Sequence, residues 1–182
     1  HLVVDARYLK PGATGVGHYI KGILIGLNHI AKEQRVTVSA LSLARIPKSY
    51  ESFFDSLENI DTYPVDVDPE DHPKNEFFFT MPINSWMKRL DADALFCPAF
   101  FGPVGKRNYR RVVCFHDTLC WDFPENYPLS FRTYVQTFGK LSARYADMVV
   151  CPSPGAREQI FGHNIANPKI VPYGIDYRVF KK

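Results

Sequence analysis

Two neighbouring residues, His116 and Asp117, follow the apolar run Val112-Val113-Cys114-Phe115 and so fall at the end of a buried strand. An imidazole there titrates near neutral pH and can donate to a sugar hydroxyl or a phosphate oxygen. It can equally be satisfied by the backbone groups of a strand-end turn. Asp5 stands in the same way after Leu2-Val3-Val4, where a carboxylate contacts a ligand or closes a turn. Glycine suggests a second chemistry. Gly12, Gly15 and Gly17 separate that first run from an apolar-periodic segment, Ile20 to Ala31, in the order strand, turn, helix. Such a turn can present bare backbone N–H groups to an anion, or simply bend the chain tightly. The spacing fits neither Gly-x-Gly-x-x-Gly nor a P-loop, which argues against a dinucleotide-dependent oxidoreductase. Ser153-Pro154 reads as an N-cap with proline at the first helical position, and that helix end can also face an anion.

Other patterns are weaker. Asp66-Val67-Asp68 and Asp91-Ala92-Asp93 have the form of divalent-metal ligands, but each is short enough to arise by chance, and no metal is expected. Cys97, Cys114, Cys120 and Cys151 show no Cys-x-x-Cys spacing. Cys97, Cys114 and Cys151 lie in or at the end of apolar runs, so free cysteines in a reducing, cytoplasmic setting are expected, without structural zinc.

The elements that must position these residues alternate between strand and helix. The first helix carries Ile20, Ile23, Leu24, Leu27, Ile30 and Ala31 on one stripe. A strand is expected over Val36 to Leu43, a short helix over Tyr50 to Leu57, and a brief edge strand over Thr62 to Val67, where Pro64 is tolerated. Asp66 to Lys74 reads as loop, and Glu76 to Leu90 as helix broken near Pro82. Ala94 to Cys97 and Val112 to Phe115 read as the centre of the sheet. Phe131, Tyr134, Val135, Phe138, Leu141 and Tyr145 mark a long helix, within which Gly139 predicts a close packing contact. Met148 to Cys151 is a strand, the Ser153-capped helix runs to about Phe161, and Lys169 to Pro172 is a last short strand.

This alternation implies an α/β fold, a parallel sheet with helices on both faces, whose ligands bind beyond the carboxyl ends of the strands. The loops on that rim hold Asp5 to Gly17, Ala99 to Gly102, His116 to Thr118, Ser153 to Gly155 and Tyr173 to Asp176. Asp91 and Asp93 precede a strand and fall on the opposite rim.

Composition bounds the reading. A chain of 182 residues with 46% hydrophobic and 23% charged residues suits one globular domain, and no apolar run reaches the ~20 residues of a membrane span. A net charge of +3 is too small to argue for nucleic acid. The cluster Lys106-Arg107-Asn108-Tyr109-Arg110-Arg111 reads as a solvated loop or as a contact for acidic lipid headgroups or phosphate. The chain opens at His1 without methionine, as a processed chain or an excised piece does.

The order of motifs resembles the N-terminal domain of a glycosyltransferase family 4 enzyme with the GT-B fold. The matching pieces are Gly15-Val16-Gly17-His18-Tyr19, Ala92 to Pro98, Val112 to Asp117, Tyr145 to Ser153, and Lys169-Ile170-Val171-Pro172-Tyr173-Gly174-Ile175-Asp176 followed by Phe180. The resemblance implies a Rossmann-like domain, one half of a retaining enzyme of the hexosyltransferase type. Such an enzyme moves a sugar from a nucleotide-sugar donor to a saccharide or lipid-linked acceptor, usually without a metal or other cofactor. It also implies that Gly15, Val16 and Gly17 approach the donor diphosphate. His116, with Asp117 beside it, would then contact the transferred sugar or the acceptor near the reaction centre; from their place on the carboxyl rim, Asp5, Ser153, Tyr173 and Gly174 are expected to line the substrate site. The donor site, with its two glutamates eight positions apart, belongs to a second domain, and no such pair occurs here. Residues 1–182 are therefore expected to be the acceptor-side half, folded but inactive alone, and cytoplasmic, either free or in peripheral contact with a membrane. A stand-alone sugar-phosphate or protein binding module is the alternative.

Overall fold

Val3 and Val4 are both fully buried although they point to opposite sides of one strand. Both faces of the sheet must therefore be covered. The computed structural model describes residues 1–10, 15–46, 48–71, 74–75, 78–79 and 81–174. In it the apolar runs form β1 (Leu2–Asp5), β2 (Val38–Leu43), β3 (Ile60–Val65), β4 (Ala94–Cys97), β5 (Arg110–Cys114), β6 (Met148–Cys151) and β7 (Lys169–Ile170). They join in one seven-stranded sheet of order β3-β2-β1-β4-β5-β6-β7. Every adjacent pair is parallel. The expected central strands, β4 and β5, stand at the middle of the sheet and next to it.

The connecting helices are α1 (Gly15–Gln34), α2 (Lys48–Asp55), α3 (Pro82–Arg89), α4 (Leu119–Asp122), α5 (Leu129–Tyr145) and α6 (Pro154–Gly162). Alternate strand residues feed two cores. Val4, Phe96, Cys114 and Val150 pack with Ile20 and Leu24 of α1 and Phe54 of α2. Val3, Leu95, Cys97, Val113, Val149 and Cys151 pack with Ile83 and Met87 of α3, Val135 of α5 and Ile160 of α6. Each fully buried aliphatic side chain contributes about 1.5–3 kcal/mol. The arrangement is a Rossmann-like α/β fold.

Several boundaries differ from expectation for local reasons. β2 starts at Val38, since Arg35 takes a left-handed turn (φ +52°) and Val36 stays exposed. β3 starts earlier than predicted, at Ile60, and ends at Val65; it is an edge strand, which accommodates Pro64. Pro82 starts α3 at its first turn, where a missing N–H costs nothing. Glu76, where that helix was expected to begin, lies outside the described residues, as do Gly12, Ile175, Asp176 and Phe180. On α1, Ile30 is 46% exposed and does not join the buried stripe. Gly139 behaves as expected, since a Cβ there would stand 3.3 Å from the Trp121 ring and 3.7 Å from Phe115. The single turn α4 was not signalled by any periodicity; the Asp117 carboxylate caps it, accepting from Leu119 N at 3.0 Å.

At the amino rim the basic cluster is partly structural. Arg110 and the backbone of Arg111 donate to the two oxygens of Asp147, each at 2.9 Å. Arg111 is buried and donates to the carbonyls of Pro103 and Gly105.

Candidate active site

The sheet order reverses between β1 and β4: the chain runs outward from β1 through β2 to β3, then returns to the other side of β1. Beyond the carboxyl ends of two such strands the loops diverge and leave a crevice, the usual ligand position in an open parallel sheet. On its β4 side Phe100 adopts a left-handed backbone (φ +54°), a conformation that costs a bulky residue about 1–2 kcal/mol and persists only where its surroundings enforce it. Its amide donates to Cys114 O at 2.9 Å, and its ring meets the ring of His116 at 5.7 Å, nearly edge-on.

His116 is the hub of this rim. Its Nε2 lies 2.6 Å from Pro98 O, and its Nδ1 lies 2.6 Å from the Tyr173 hydroxyl. A carbonyl only accepts, so Nε2 carries the ring proton. Nδ1 is then the lone-pair nitrogen and accepts from Tyr173. Burial holds the imidazole pKa below its ordinary value, although the Pro98 carbonyl and Asp117 act the other way. This arrangement corrects the expectation that His116 donates to a ligand. Its N–H is already engaged by Pro98, and only an acceptor faces Tyr173.

Tyr19, one turn into α1, packs edge-on against His116 at 5.0 Å and against Tyr173 at 5.1 Å. The Cys114 sulfur lies 3.9 Å from His116 Nδ1. Burial pushes the Cys114 thiol up to about 12 and the Tyr173 phenol likewise to about 12, so both are protonated at neutral pH. Tyr19, Pro98 and Cys114 were not singled out from sequence. Tyr19 was legible in principle, four residues after Gly15 and so on the same helix face.

The other predicted residues divide. Gly15, Val16 and Gly17 form the first turn of α1, which follows β1 and so begins on the carboxyl side of the sheet, and whose first N–H groups lack intrahelical partners. Among the described residues nothing lies within 4 Å of a Cβ built on Gly15 or Gly174. Ser153 caps α6, accepting from Ala156 N at 3.1 Å, and makes no contact with His116. Asp5 is only 2% exposed, and both its oxygens are held at 2.8 Å by Arg7, so the expected substrate contact gives way to a structural pair. Arg7 is itself completely buried; it donates to Asn75 Oδ1 at 2.9 Å and lies over the Phe78 ring at 4.2 Å.

The acidic pairs lie apart from this hub. Asp68 binds Lys10 at 3.1 Å, and Asp91 and Asp93 line a cleft of about 1020 Å³ on the amino rim with Lys88, Arg110 and Asp147. That cleft opens at the strands' amino ends, away from the switch point and from His116. Among the described residues no three His, Cys, Asp or Glu side chains converge on a common point suited to a metal. Among the described residues no helix is long and apolar enough to cross a membrane.

No curated protein matches the chain. A glycosyltransferase from Rickettsia africae ESF-5 shares the fold at a TM-score of 0.60 and 15% identity, over 100% of this chain and 45% of that one. The chain thus spans less than half the length of that protein. The family model described as Glycosyltransferase Family 4 matches residues 15–179, from the first turn of α1 to beyond Tyr173. That match takes in almost the whole chain, including His116 and both segments that converge on it, and this chain belongs to Glycosyltransferase Family 4.

Proposed function

We propose that this chain is the acceptor-side domain of a retaining glycosyltransferase, of the hexosyltransferase type, that moves a sugar from a nucleotide-sugar donor to a saccharide or lipid-linked acceptor in polysaccharide biosynthesis. A donor-binding domain follows it in the complete protein, and no further cofactor takes part. The reading is supported above all by the family match combined with His116, a neutral imidazole beyond β5 whose ring reaches the end of β4 beside the switch point. The N–H groups of Gly15, Val16 and Gly17, in the first turn of α1, suit the donor diphosphate. The Nδ1 lone pair of His116 suits a sugar hydroxyl, and Gly174, with nothing among the described residues near a Cβ built on it, suits a saccharide passing close to the backbone. The protein works in the cytoplasm, where nucleotide sugars are made, and the exposed Arg110 side favours peripheral contact with acidic lipid headgroups.

The complete protein is tested by measuring nucleotide release from a panel of nucleotide sugars in the presence of candidate acceptors. Turnover of at least one donor is expected, reduced about 10²-fold by His116→Ala through loss of a positioned hydrogen bond at the reacting sugar. Failure to release nucleotide from any donor, with saccharide binding retained, would favour a binding module instead.

A further inference from the structure

Tyr173 differs from the other partners of His116 in how it is held. Pro98 O belongs to the backbone at the end of β4, and Tyr19 is fixed on α1. Tyr173 follows β7, past Val171, whose amide makes the last backbone hydrogen bond among the described residues, at 2.8 Å to Cys151 O. Pro172 has no N–H to give, and Tyr173 itself is 48% exposed. Its phenol is nevertheless fastened to His116 Nδ1 at 2.6 Å, with its ring laid against Tyr19.

We propose that Tyr173 is a positioning residue and a resident stand-in, its hydroxyl occupying on His116 Nδ1 the place that a sugar hydroxyl takes, and its ring withdrawing when that hydroxyl arrives. This rests on the reading of His116 as the residue that meets the sugar. The chemistry is an exchange of like for like. With Nε2–H committed to Pro98, Nδ1 can only accept, so whatever replaces the phenol must bring an O–H of its own. A phosphate oxygen, which at neutral pH offers lone pairs, is turned away. His116 therefore selects hydroxyl over phosphate, and the anion is left to the amino end of α1. One O–H···N bond replaces another, so the nitrogen is never left unsatisfied and the exchange costs only the contacts of the phenol ring. The same contact ties the state of the site to the segment that leaves β7.

The exchange is tested on the chain without any sugar, by timing carbethoxylation of His116 with diethyl pyrocarbonate and peptide mass spectrometry. The reagent needs a free imidazole lone pair, which in this tautomer is Nδ1 alone. In the unsubstituted chain His116 should react slowly beside the exposed His18 and His29. In Tyr173→Phe it should react about fivefold faster, as the loss of one ordinary hydrogen bond predicts, with His18 and His29 unchanged. In parallel, the ¹⁵N resonance of Nδ1, assigned by its loss in His116→Gln, should sit at the position of a hydrogen-bonded acceptor and move downfield in Tyr173→Phe. Equal labelling rates in the two chains, or an Nδ1 resonance already at the free-acceptor position in the unsubstituted chain, would overturn the proposal. If Tyr173→Phe does not fold, the resonance of the unsubstituted chain decides alone. A protein that transfers no sugar can still show this contact, and a transferase whose Nδ1 is open at rest would refute the exchange without touching the proposed activity.

Discussion

Two polar pairs stand on the same rim of the sheet, and they are built to opposite ends. Asp5 and Arg7, beyond β1, are sealed: both are almost wholly buried, joined by two bonds of 2.8 Å, with Asn75 and the Phe78 ring closing over the guanidinium. His116 and Tyr173, beyond β5 and β7, are joined by a single bond of 2.6 Å, and one partner is half in solvent. The difference separates scaffold from candidate site. A bidentate charged pair with every neighbour in place holds a loop, whereas a neutral pair with one loose partner leaves a nitrogen that a ligand can claim.

Substitutions can break or sharpen that contrast. The largest effect is expected at the sealed pair: Arg7→Met strands the Asp5 carboxylate in the interior and should cost about 3–5 kcal/mol in urea-induced unfolding. Adding Asp5→Leu to it should recover much of the loss, because an apolar pair of similar volume is tolerated where a single buried charge is not. A smaller effect lies in the pH dependence of the open pair. Burial lowers the His116 pKa in the folded chain, so the unfolded chain binds the proton more readily, and folded stability falls as pH drops from about 6.5 toward the folded value. The stability difference between the unsubstituted chain and His116→Gln, followed from pH 7.5 to 5 by thermal melting, should therefore shift against the unsubstituted chain on acidification. The smallest effect is that of Tyr173→Phe on stability, about 0.5 kcal/mol or less, since the phenol is half exposed and its ring contacts survive. A loss as large as that of Arg7→Met would place Tyr173 with the scaffold.

Sequence spacing made the elements of the scaffold legible and left the contacts between them obscure. The strands were legible because a parallel strand buried on both sides is an unbroken apolar run, as in Val149-Val150-Cys151. The cap at Ser153 and the close approach at Gly139 were legible because each follows from one residue type in one local context. The partners of His116 were not. Pro98 lies eighteen residues before it and Tyr173 fifty-seven after it, and only the adjacency of β4, β5, β6 and β7 brings them together. Asp5, which the sequence left between a ligand contact and a turn, is held by Arg7 under cover that is equally distant in the chain: Asn75 and Phe78 close over the guanidinium. Arg111 was likewise counted with a solvated cluster, and the structure buries it beneath two carbonyls.

The interior place of β1 has a consequence for biosynthesis. It lies between β2 and β4, so its two edges are paired by residues 38–43 and 94–97, both of which follow it in the chain. As the nascent chain leaves the ribosome, one edge of β1 gains its neighbour early, while the other stays a bare row of N–H and C=O groups flanked by Val3 and Val4. That edge is a template for pairing with another chain until Cys97 has emerged, when more than half of these residues have been made. A stall before that point should leave an aggregation-prone intermediate, and one after it a chain whose central strands can already close.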